Sequence, residues 1–162
     1  MLWQVNYFSI TIILLVELED LDMYNQDVRW KQRFENFDRA FILLRSAIED
    51  NKIEELSQLE QEGVIQRFEY TYELAWKTLK DYLQENGNTI LTEITARNVI
   101  KEAFLAKIIP DGQVFIEMML HRNLLAHCYD FQKFKEIIIA VEKYYLPAFS
   151  QLHGWLLERM LD

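Results

Sequence analysis

The chain has 162 residues, 51% of them hydrophobic, with only four glycines and two prolines. This length suits one domain with a substantial core, and the scarcity of turn-forming residues favours long helices with short connections. The formal net charge of −9 argues against a general electrostatic attraction to nucleic acid or to anionic membranes, so any phosphate site must be local.

The first 22 residues differ from everything that follows. They contain four acids and no lysine or arginine, and the apolar run from Tyr7 to Val16 is rich in β-branched residues, which favours a strand. The run is shorter than the roughly 20 residues of a membrane-spanning helix, and it lacks the features of a secretory signal. Two interpretations stay open. Either residues 1–22 are an appendage and translation naturally begins at Met23, or they belong to the native protein in front of a single domain over 23–162.

From Asp27 onward, apolar residues recur at three- and four-residue steps, as on one face of a helix. A first long helix is expected to end at Asp50-Asn51, and a second to begin beyond Gly63 and to close at Asn86-Gly87. The buried stripe of the first is predicted to be Trp30, Phe34, Phe37, Phe41, Leu44 and Ile48. That of the second is predicted to be Val64, Phe68, Tyr72, Ala75, Leu79 and Leu83.

Three further helices are expected in the second half of the chain. Thr92 or Thr95 can cap the third helix, and its inward residues are predicted to be Ala96, Val99, Ile100, Ala103 and Phe104. The fourth should run from about Gln113 into the region of Arg122. The fifth should cover roughly 132–160, bent near Pro147, which lacks a backbone N–H. The predicted fold is therefore all-α, a five-helix antiparallel bundle.

Several kinds of site are not indicated by any motif. There is no Gly-rich phosphate loop, no pair of Cys or His residues at zinc spacing and no nucleophile elbow, so no metal or cofactor is expected. Asp20-Leu21-Asp22 has the Asp-x-Asp form with which nucleotidyltransferases hold magnesium, but no Gly-Ser loop precedes it. The chain is therefore not expected to be a nucleotidyltransferase itself. Its one cysteine, Cys128, has no disulfide partner, which fits the reducing cytoplasm.

One short segment contains a guanidinium (Arg122), an amide (Asn123), an imidazole (His127) and a phenol (Tyr129). At about 100° per residue, Asn123 and His127 share a helical face, whereas Arg122 and His127 are about 140° apart. They converge on one ligand only if the helix ends near His127 or if a second copy of the chain completes the pocket. A guanidinium that grips phosphate and an imidazole that moves a proton suit metal-free phosphodiester cleavage. The alternative is structural, because Arg and His side chains at helix ends often satisfy unpaired carbonyls.

A second set of charged residues lies in the second helix. Glu69, Glu73 and Lys77 step by four along one face, an arrangement that is able to line the same cleft. The interpretation we favour is an i, i+4 ladder on a solvated face, with Glu73 well placed before Lys77. Arg67 is a further candidate for binding phosphate or a partner.

Three blocks of the sequence resemble the nucleotidyltransferase substrate-binding protein family of the HEPN superfamily. The segment 122–129 reads Arg-x4-His-x-Tyr, which is similar to the signature of HEPN toxins paired with minimal nucleotidyltransferases. The segment 66–77, which reads Gln-Arg-Phe-Glu-Tyr-Thr-Tyr-Glu-Leu-Ala-Trp-Lys, is similar to a helix typical of the family, and 97–104 fits the same pattern. The resemblance covers about residues 28–146.

The resemblance implies an up-and-down helical bundle, a homodimer and a complex with a small nucleotidyltransferase. HEPN toxins of this kind are metal-independent ribonucleases, in which residues matching Arg122 and His127 from both subunits face one cleft. By this resemblance Arg122 holds the scissile phosphate, His127 acts as general base or acid at the 2′-hydroxyl, and Asn123 orients one of them. Tyr129 matches the tyrosine that partner enzymes modify with AMP, which would block the cleft by bulk and negative charge.

Two main hypotheses follow. The chain is either a toxin ribonuclease silenced by its partner, or a non-catalytic subunit that presents a substrate or nucleotide to the nucleotidyltransferase. The complete set of Arg122, Asn123, His127 and Tyr129 favours the first, whereas the acidic charge balance favours the second, since RNA enzymes usually carry a basic surface. A third alternative is a bundle that serves only for protein interaction.

Overall fold

A computed structural model of the protein describes residues 29–86, 93–127 and 130–161. The expectations for the N-terminal strand, for translation from Met23, for the ends of helices at Gly87 and Thr92, and for Tyr129 lie outside these residues. Within the described ranges every regular element is helical and no strand occurs.

Five helices form the described part of the chain, and the predicted all-α, five-helix bundle is confirmed. Helix α1 covers 29–49, and a turn of 3-10 helix (Ile53–Glu55) leads into α2. The last helix, α5, is continuous through an α-helical segment, a wider π-helical segment and a second α-helical segment. The bounds are Gln58–Asn86 for α2, Ala96–Leu105 for α3, Gly112–Leu125 for α4, and Phe131–Ala140, Val141–Tyr145 and Leu146–Met160 for the three segments of α5.

Contacts between side chains show that α1 and α2 run in opposite directions. The indole N–H of Trp30, near the start of α1, donates to Glu85 near the end of α2 at 3.0 Å. At the other end of the same pair, Arg67 of α2 donates to the carbonyl of Leu43 at 2.9 Å. Helices α1 and α2 are therefore antiparallel, as the short connection between them requires.

The two buried stripes predicted for α1 and α2 are confirmed. All twelve of their side chains are buried, and none is more than 4% exposed. The stripe of α1 meets α5 through aromatic rings, with the centroids of Phe37 and Phe149 6.2 Å apart. His153 lies among these rings, 5.0 Å from Phe41, and its Nε2 is 2.6 Å from a carboxylate oxygen of Asp38. Burial of each large apolar side chain contributes about 1.5–3 kcal/mol, so these stripes hold the bundle together.

A buried carboxylate connects α1 to α2 at the end of the bundle where α1 begins. The side chain of Asp81 is 2% exposed and lies 2.5 Å from Arg33, 2.9 Å from Lys80 and 4.0 Å from Arg29. Three cations around one carboxylate offset part of the cost of removing it from water, and its Oδ1 has no hydrogen-bond partner among the described residues.

Helix α2 begins earlier than expected. The prediction placed its start beyond Gly63, but the helix starts at Gln58 and Gly63 lies inside it. The reason is a capping box: the backbone N–H of Ser57 donates to Glu60 at 2.8 Å, and that of Glu60 donates to the Ser57 hydroxyl at 3.3 Å. A reciprocal cap of this kind stabilises the first turn by more than one internal glycine destabilises it.

Helices α3 and α4 form a hairpin, and the prediction for Phe104 is wrong. Thr95 caps α3 by accepting from the N–H of Asn98 at 3.3 Å, but Phe104 is 48% exposed rather than inward. Its side chain lies against Gly112, where a Cβ atom would come within 3.3 Å of the Phe104 Cβ. Ile108 and Ile109 of the connection occupy the core at this end instead.

A Schellman motif ends α3. The N–H of Ile108 donates to the Ala103 carbonyl at 2.9 Å, and the N–H of Lys107 donates to the Phe104 carbonyl at 3.0 Å. Lys107 occupies the position that usually belongs to glycine, with a φ of 58°. A side chain in this left-handed conformation costs about 1–2 kcal/mol.

Near Pro147, helix α5 departs from α-helical hydrogen bonding, as expected for a residue that lacks a backbone N–H donor. The segment Val141–Tyr145 is π-helical, and the N–H of Leu146 donates to the carbonyl of Val141, five residues earlier. Because Pro147 lacks an N–H, it disturbs the α-helical bonding of the preceding turn. The helix nevertheless continues to Met160.

We predict that Lys107→Gly stabilises the protein by about 0.5–1 kcal/mol, because relief of the left-handed strain exceeds the added entropy of the unfolded chain. Lys107→Ala is the matched control, since it removes the same charge but keeps the Cβ atom. Urea denaturation measures both variants, and an equal effect of glycine and alanine would contradict the argument.

Candidate functional site

The predicted site residues lie at the C-terminal end of α4. Asp111 caps the start of this helix by accepting from the N–H groups of Gln113 and Val114 at 2.8 and 3.3 Å. The helix ends at Leu125, and the N–H of His127 donates to the carbonyl of Leu124 at 3.1 Å in the turn that follows. His127 is exposed there. The helix thus ends near His127, which was one of the two conditions for its side chain to turn toward Arg122.

Arg122 lies in the last turn of α4 and is half-buried. Its Nη1 is 3.5 Å from the side-chain oxygen of Asn123, a weak contact between neighbouring residues. The charge of its guanidinium acts on Glu69, Tyr72 and Glu73 of α2. Arg122 is therefore directed toward the ionic face of α2.

The two acids opposite Arg122 titrate differently. Burial raises the pKa of Glu69, and Arg122 opposes this shift. Burial also acts to raise the pKa of Glu73, but hydrogen bonds from Lys77 and Trp76 and the charges of Lys77 and Arg122 outweigh it, so the pKa lies below its ordinary value. Glu73 is consequently the firmly ionised member of the pair, and Glu69 is the more readily protonated one.

A buried phenol, that of Tyr72, lies near these acids. Tyr72 is 1% exposed, and its hydroxyl is buried and unpaired among the described residues. Burial raises its pKa, the negative charge of Glu73 adds to that shift, and the positive charges of Arg122 and Arg97 oppose it. Arg97, from the first turn of α3, therefore belongs to the same electrostatic neighbourhood as Arg122.

The other predicted site residues separate into two groups. Glu73 and Lys77 form the expected i, i+4 ion pair of 2.8 Å, but Glu69, Glu73 and Lys77 are half-buried and do not lie on a fully solvated face. Arg67 lies on the opposite side of α2, where it donates to Leu43 of α1. Among the described residues no hydrogen bond joins Arg122 to His127.

Two residues of this neighbourhood were missed by the analysis of the sequence as site candidates. Arg97 and Tyr72 lie 25 and 50 residues before Arg122 in the chain, and Tyr72 was assigned only to the buried stripe. Periodicity places Tyr72 on the core side correctly, but it carries no information about whether the phenol oxygen finds a partner. For Arg97, the only available signal was its position within a block that resembles the family.

A groove of about 580 Å³ adjoins the end of α4, between α2 and the start of α5. Its floor is apolar, and its polar residues on α2 are Glu62, Gln66 and Glu69. With two acids and no cation in its described lining, this groove is unsuited to a phosphate group.

His121, next to Arg122 in sequence, has a structural contact of its own. Its Nδ1 is 2.6 Å from the hydroxyl of Tyr145 in the π-helical segment of α5. Burial lowers the pKa of His121, and burial together with the charge of Glu117 raises the pKa of Tyr145 to about 12. The imidazole and the phenol share a hydrogen bond, whose donor depends on the imidazole tautomer, and this bond ties α4 to α5.

Two negative findings apply to the described part of the chain only. In residues 29–86, 93–127 and 130–161, no group of three or more His, Cys, Asp or Glu side chains is placed to hold a metal ion. None of the helices in these ranges combines the length and the apolar character that crossing a lipid bilayer demands.

Comparison with known proteins identifies related sequences. The profile of a family described as "Nucleotidyltransferase substrate binding protein like" matches residues 32–158. A protein of Haemophilus influenzae named "Probable ribonuclease HepT" is 28% identical over 102 residues. These residues are 60% of this chain and 65% of the relative, so the match spans slightly less than two thirds of that protein.

Solved structures share the fold. A crystal structure of a protein from Thermus thermophilus is 27% identical, with a TM-score of 0.62 over 78% of this chain and 99% of that one. A Haemophilus influenzae protein, said to reveal the fold of a substrate binding domain of a nucleotidyltransferase, is 22% identical, with a TM-score of 0.65 over 80% and 99%. A chain of a toxin-antitoxin crystallised with AMP-PNP is 15% identical, with a TM-score of 0.63 over 79% and 95%. The last two likenesses show the fold alone.

We predict that acid destabilises the protein partly through His121. The pKa of His121 is lower in the folded state than in the unfolded chain, where it has its ordinary value of about 6.5. The neutral side chain therefore makes its full contribution to the free energy of unfolding above that value. The contribution is lost as the pH falls through the folded-state pKa. His121→Gln should therefore show a smaller loss of unfolding free energy between neutral and mildly acidic pH. His127→Gln is the matched control, because it removes an exposed imidazole and leaves the contact between His121 and Tyr145 in place. Urea titrations at a series of pH values give the comparison, and identical profiles for wild type and His121→Gln would refute it.

Proposed function

We propose a function for this chain, which belongs to the nucleotidyltransferase substrate-binding protein family. It is the helical partner subunit of a minimal nucleotidyltransferase in a toxin-antitoxin pair. It cleaves RNA without a metal ion. The name of the Haemophilus influenzae relative, a probable ribonuclease, supports the activity. The toxin-antitoxin context of one structural neighbour supports the kind of pair.

The observation that carries the proposal is the way in which α4 ends. A guanidinium lies in the last helical turn, and an exposed imidazole follows two residues after the end of the helix. An imidazole held outside the helix is accessible to an RNA backbone and is able to accept and return a proton. The half-buried guanidinium of Arg122, in the last turn of the same helix, is suited to bind a phosphate in bidentate fashion.

Two copies of the chain supply the groups that the reaction needs. One His127 removes the proton from a ribose 2′-hydroxyl, and the 2′-oxygen attacks the adjacent phosphorus atom. The bond to the 5′-oxygen breaks, and the imidazolium of the other copy protonates that oxygen, which leaves a 2′,3′-cyclic phosphate and a 5′-hydroxyl. Arg122 stabilises the charge that develops on the phosphate oxygens, and Asn123 orients the guanidinium. A homodimer therefore forms part of the proposal.

A second candidate function is favoured by a different observation. Arg122 faces Glu69 and Glu73, whose negative charges compete with a phosphate for the guanidinium. In a non-catalytic subunit, the same residues would bind a polar substrate and present it to the nucleotidyltransferase. The two functions differ in whether the purified chain cleaves RNA by itself.

We predict that His127→Ala lowers the rate of RNA cleavage by about 10²–10⁴-fold, the usual contribution of a general acid or base. Arg39→Ala is the control, because Arg39 is exposed on α1 and its ion pair with Glu35, at 3.7 Å, is a weak surface contact. Cleavage of a labelled RNA by the purified proteins and growth arrest on expression provide the measurements. Equal cleavage by wild type and His127→Ala would reject the ribonuclease and leave the substrate-presenting subunit.

We predict that the nucleotidyltransferase partner transfers AMP from ATP to Tyr129. Coexpression should add the mass of an adenylyl group to the wild type but not to Tyr129→Phe, and the modified protein should lose RNA cleavage because bulk and negative charge enter the cleft. Tyr144→Phe is the control, since Tyr144 is 59% exposed on α5 and lies outside the candidate site. Intact-protein mass spectrometry decides the matter, and adenylylation that persists in Tyr129→Phe would exclude this residue.

A further inference from the structure

A second groove lies between α3 and α4, and its lining differs from that of the acidic groove beside α2. It has a volume of about 490 Å³, with an apolar floor that includes Ile100 and Ile116. Two cations of α3, Arg97 and Lys101, stand one helical turn apart along its wall, and the Phe104 side chain follows at the far end. The lining of this groove therefore combines two positively charged side chains with an aromatic ring.

The charges of this groove are available to a ligand. Arg97 and Lys101 are both exposed, and within the described ranges neither forms an ion pair. The hairpin 93–127 contains four cations and four acids, so it is neutral in a chain whose net charge is −9. The Asp111 carboxylate also lines the groove, but it accepts from two N–H groups at the start of α4.

Phe104 presents a large apolar surface to solvent. It is 48% exposed. The absence of a Cβ atom at Gly112 lets the Phe104 side chain lie against the start of α4, which holds it at the edge of the groove. An aromatic ring fixed beside two cations is the arrangement by which proteins stack a nucleobase while binding its phosphate.

The groove leads toward the candidate site. Asn123 lies seven residues after Ile116, two turns of α4, and so on the same face about 10 Å farther along. At the other wall, the charges of Arg97 and Arg122 both act on the buried hydroxyl of Tyr72, which has no hydrogen-bond partner among the described residues. The cationic end of the groove is therefore the end nearer to Arg122.

We propose that the groove between α3 and α4 is a nucleotide subsite, in which Phe104 stacks one base of a single-stranded RNA and Arg97 and Lys101 bind its phosphate. The subsite rests on the RNA substrate proposed above and extends it, since it holds a nucleotide next to the one whose phosphate Arg122 binds. It also accounts for RNA binding by an acidic protein, because the cations needed are concentrated in one place.

The test uses binding rather than cleavage. A short single-stranded RNA of mixed sequence with 2′-O-methyl groups cannot be cut by attack of its 2′-oxygen, so its affinity is measured without turnover. Fluorescence anisotropy of the labelled oligonucleotide with the full chain, at several salt concentrations, gives both the affinity and its salt dependence. Circular dichroism confirms that each variant is folded.

The charge variants should act on affinity and on its salt dependence together. Arg97→Gln combined with Lys101→Gln should weaken binding and reduce the slope of log affinity against log salt by about 0.7, the value for one neutralised phosphate on a single strand. Arg39→Gln, which removes an equally exposed cation from α1, should leave both quantities unchanged. An unchanged slope in the double variant would overturn the phosphate assignment.

The ring variants should act on affinity alone. Phe104→Leu keeps an apolar side chain but removes the stacking surface, so binding should weaken about tenfold with no change in the salt slope. Phe104→Tyr should restore the wild-type affinity. Wild-type affinity in Phe104→Leu, or no binding of the oligonucleotide by the wild type, would disprove the subsite.

These outcomes are separable from those that test the proposed function. If the wild type cleaves RNA and all groove variants bind as it does, the ribonuclease stands and the subsite falls. If the groove variants weaken binding while the wild type leaves unmodified RNA intact, the subsite stands and the cleavage proposal falls.

Discussion

The burial of one face of α2 is the constraint on which the rest of the structure depends. Its six apolar side chains meet α1 and α5, and their burial fixes the rotation of the helix about its own axis. Once that rotation is fixed, Glu69 and Glu73 are turned toward α4 and Arg67 toward α1. The candidate site is thus a consequence of core packing, since the acids that surround Arg122 stand there because the opposite face of their helix is buried.

Local patterns in the sequence were sufficient for most of the fold. Apolar residues at three- and four-residue steps are enough to predict which face of a helix is buried. Both predicted stripes, on α1 and α2, are confirmed without exception. The predictions were wrong in two places. For the start of α2 a local signal was overlooked, and for the exposure of Phe104 a residue distant in sequence matters. The capping box of Ser57 and Glu60 was present in the sequence and marks the start of α2. Phe104, in contrast, follows the helical period of α3, and its exposure depends on Gly112 across the hairpin.

The candidate site was predictable in part, for the same reason. Arg122, Asn123 and His127 are close in sequence, so their types and spacing were enough to single them out. Their surroundings come from α2 and α3, at distances along the chain that periodicity does not bridge. That Arg122 lies opposite two acids, and that the Tyr72 hydroxyl lacks a partner in the described part of the chain, are properties of the assembled bundle. The acidic environment of Arg122 is also what gives weight to a non-catalytic alternative.

The ionic cluster around Asp81 has a consequence for how the bundle responds to heat. The free-energy cost of removing charged groups from water decreases as temperature rises, while the gain from apolar burial levels off. The end of the bundle where Arg33 and Lys80 surround this carboxylate should therefore keep α1 attached to α2 when warming has already loosened other contacts. The α3–α4 hairpin has no comparable cluster within its described residues, so thermal disorder is expected to begin there and to spread toward the Asp81 end.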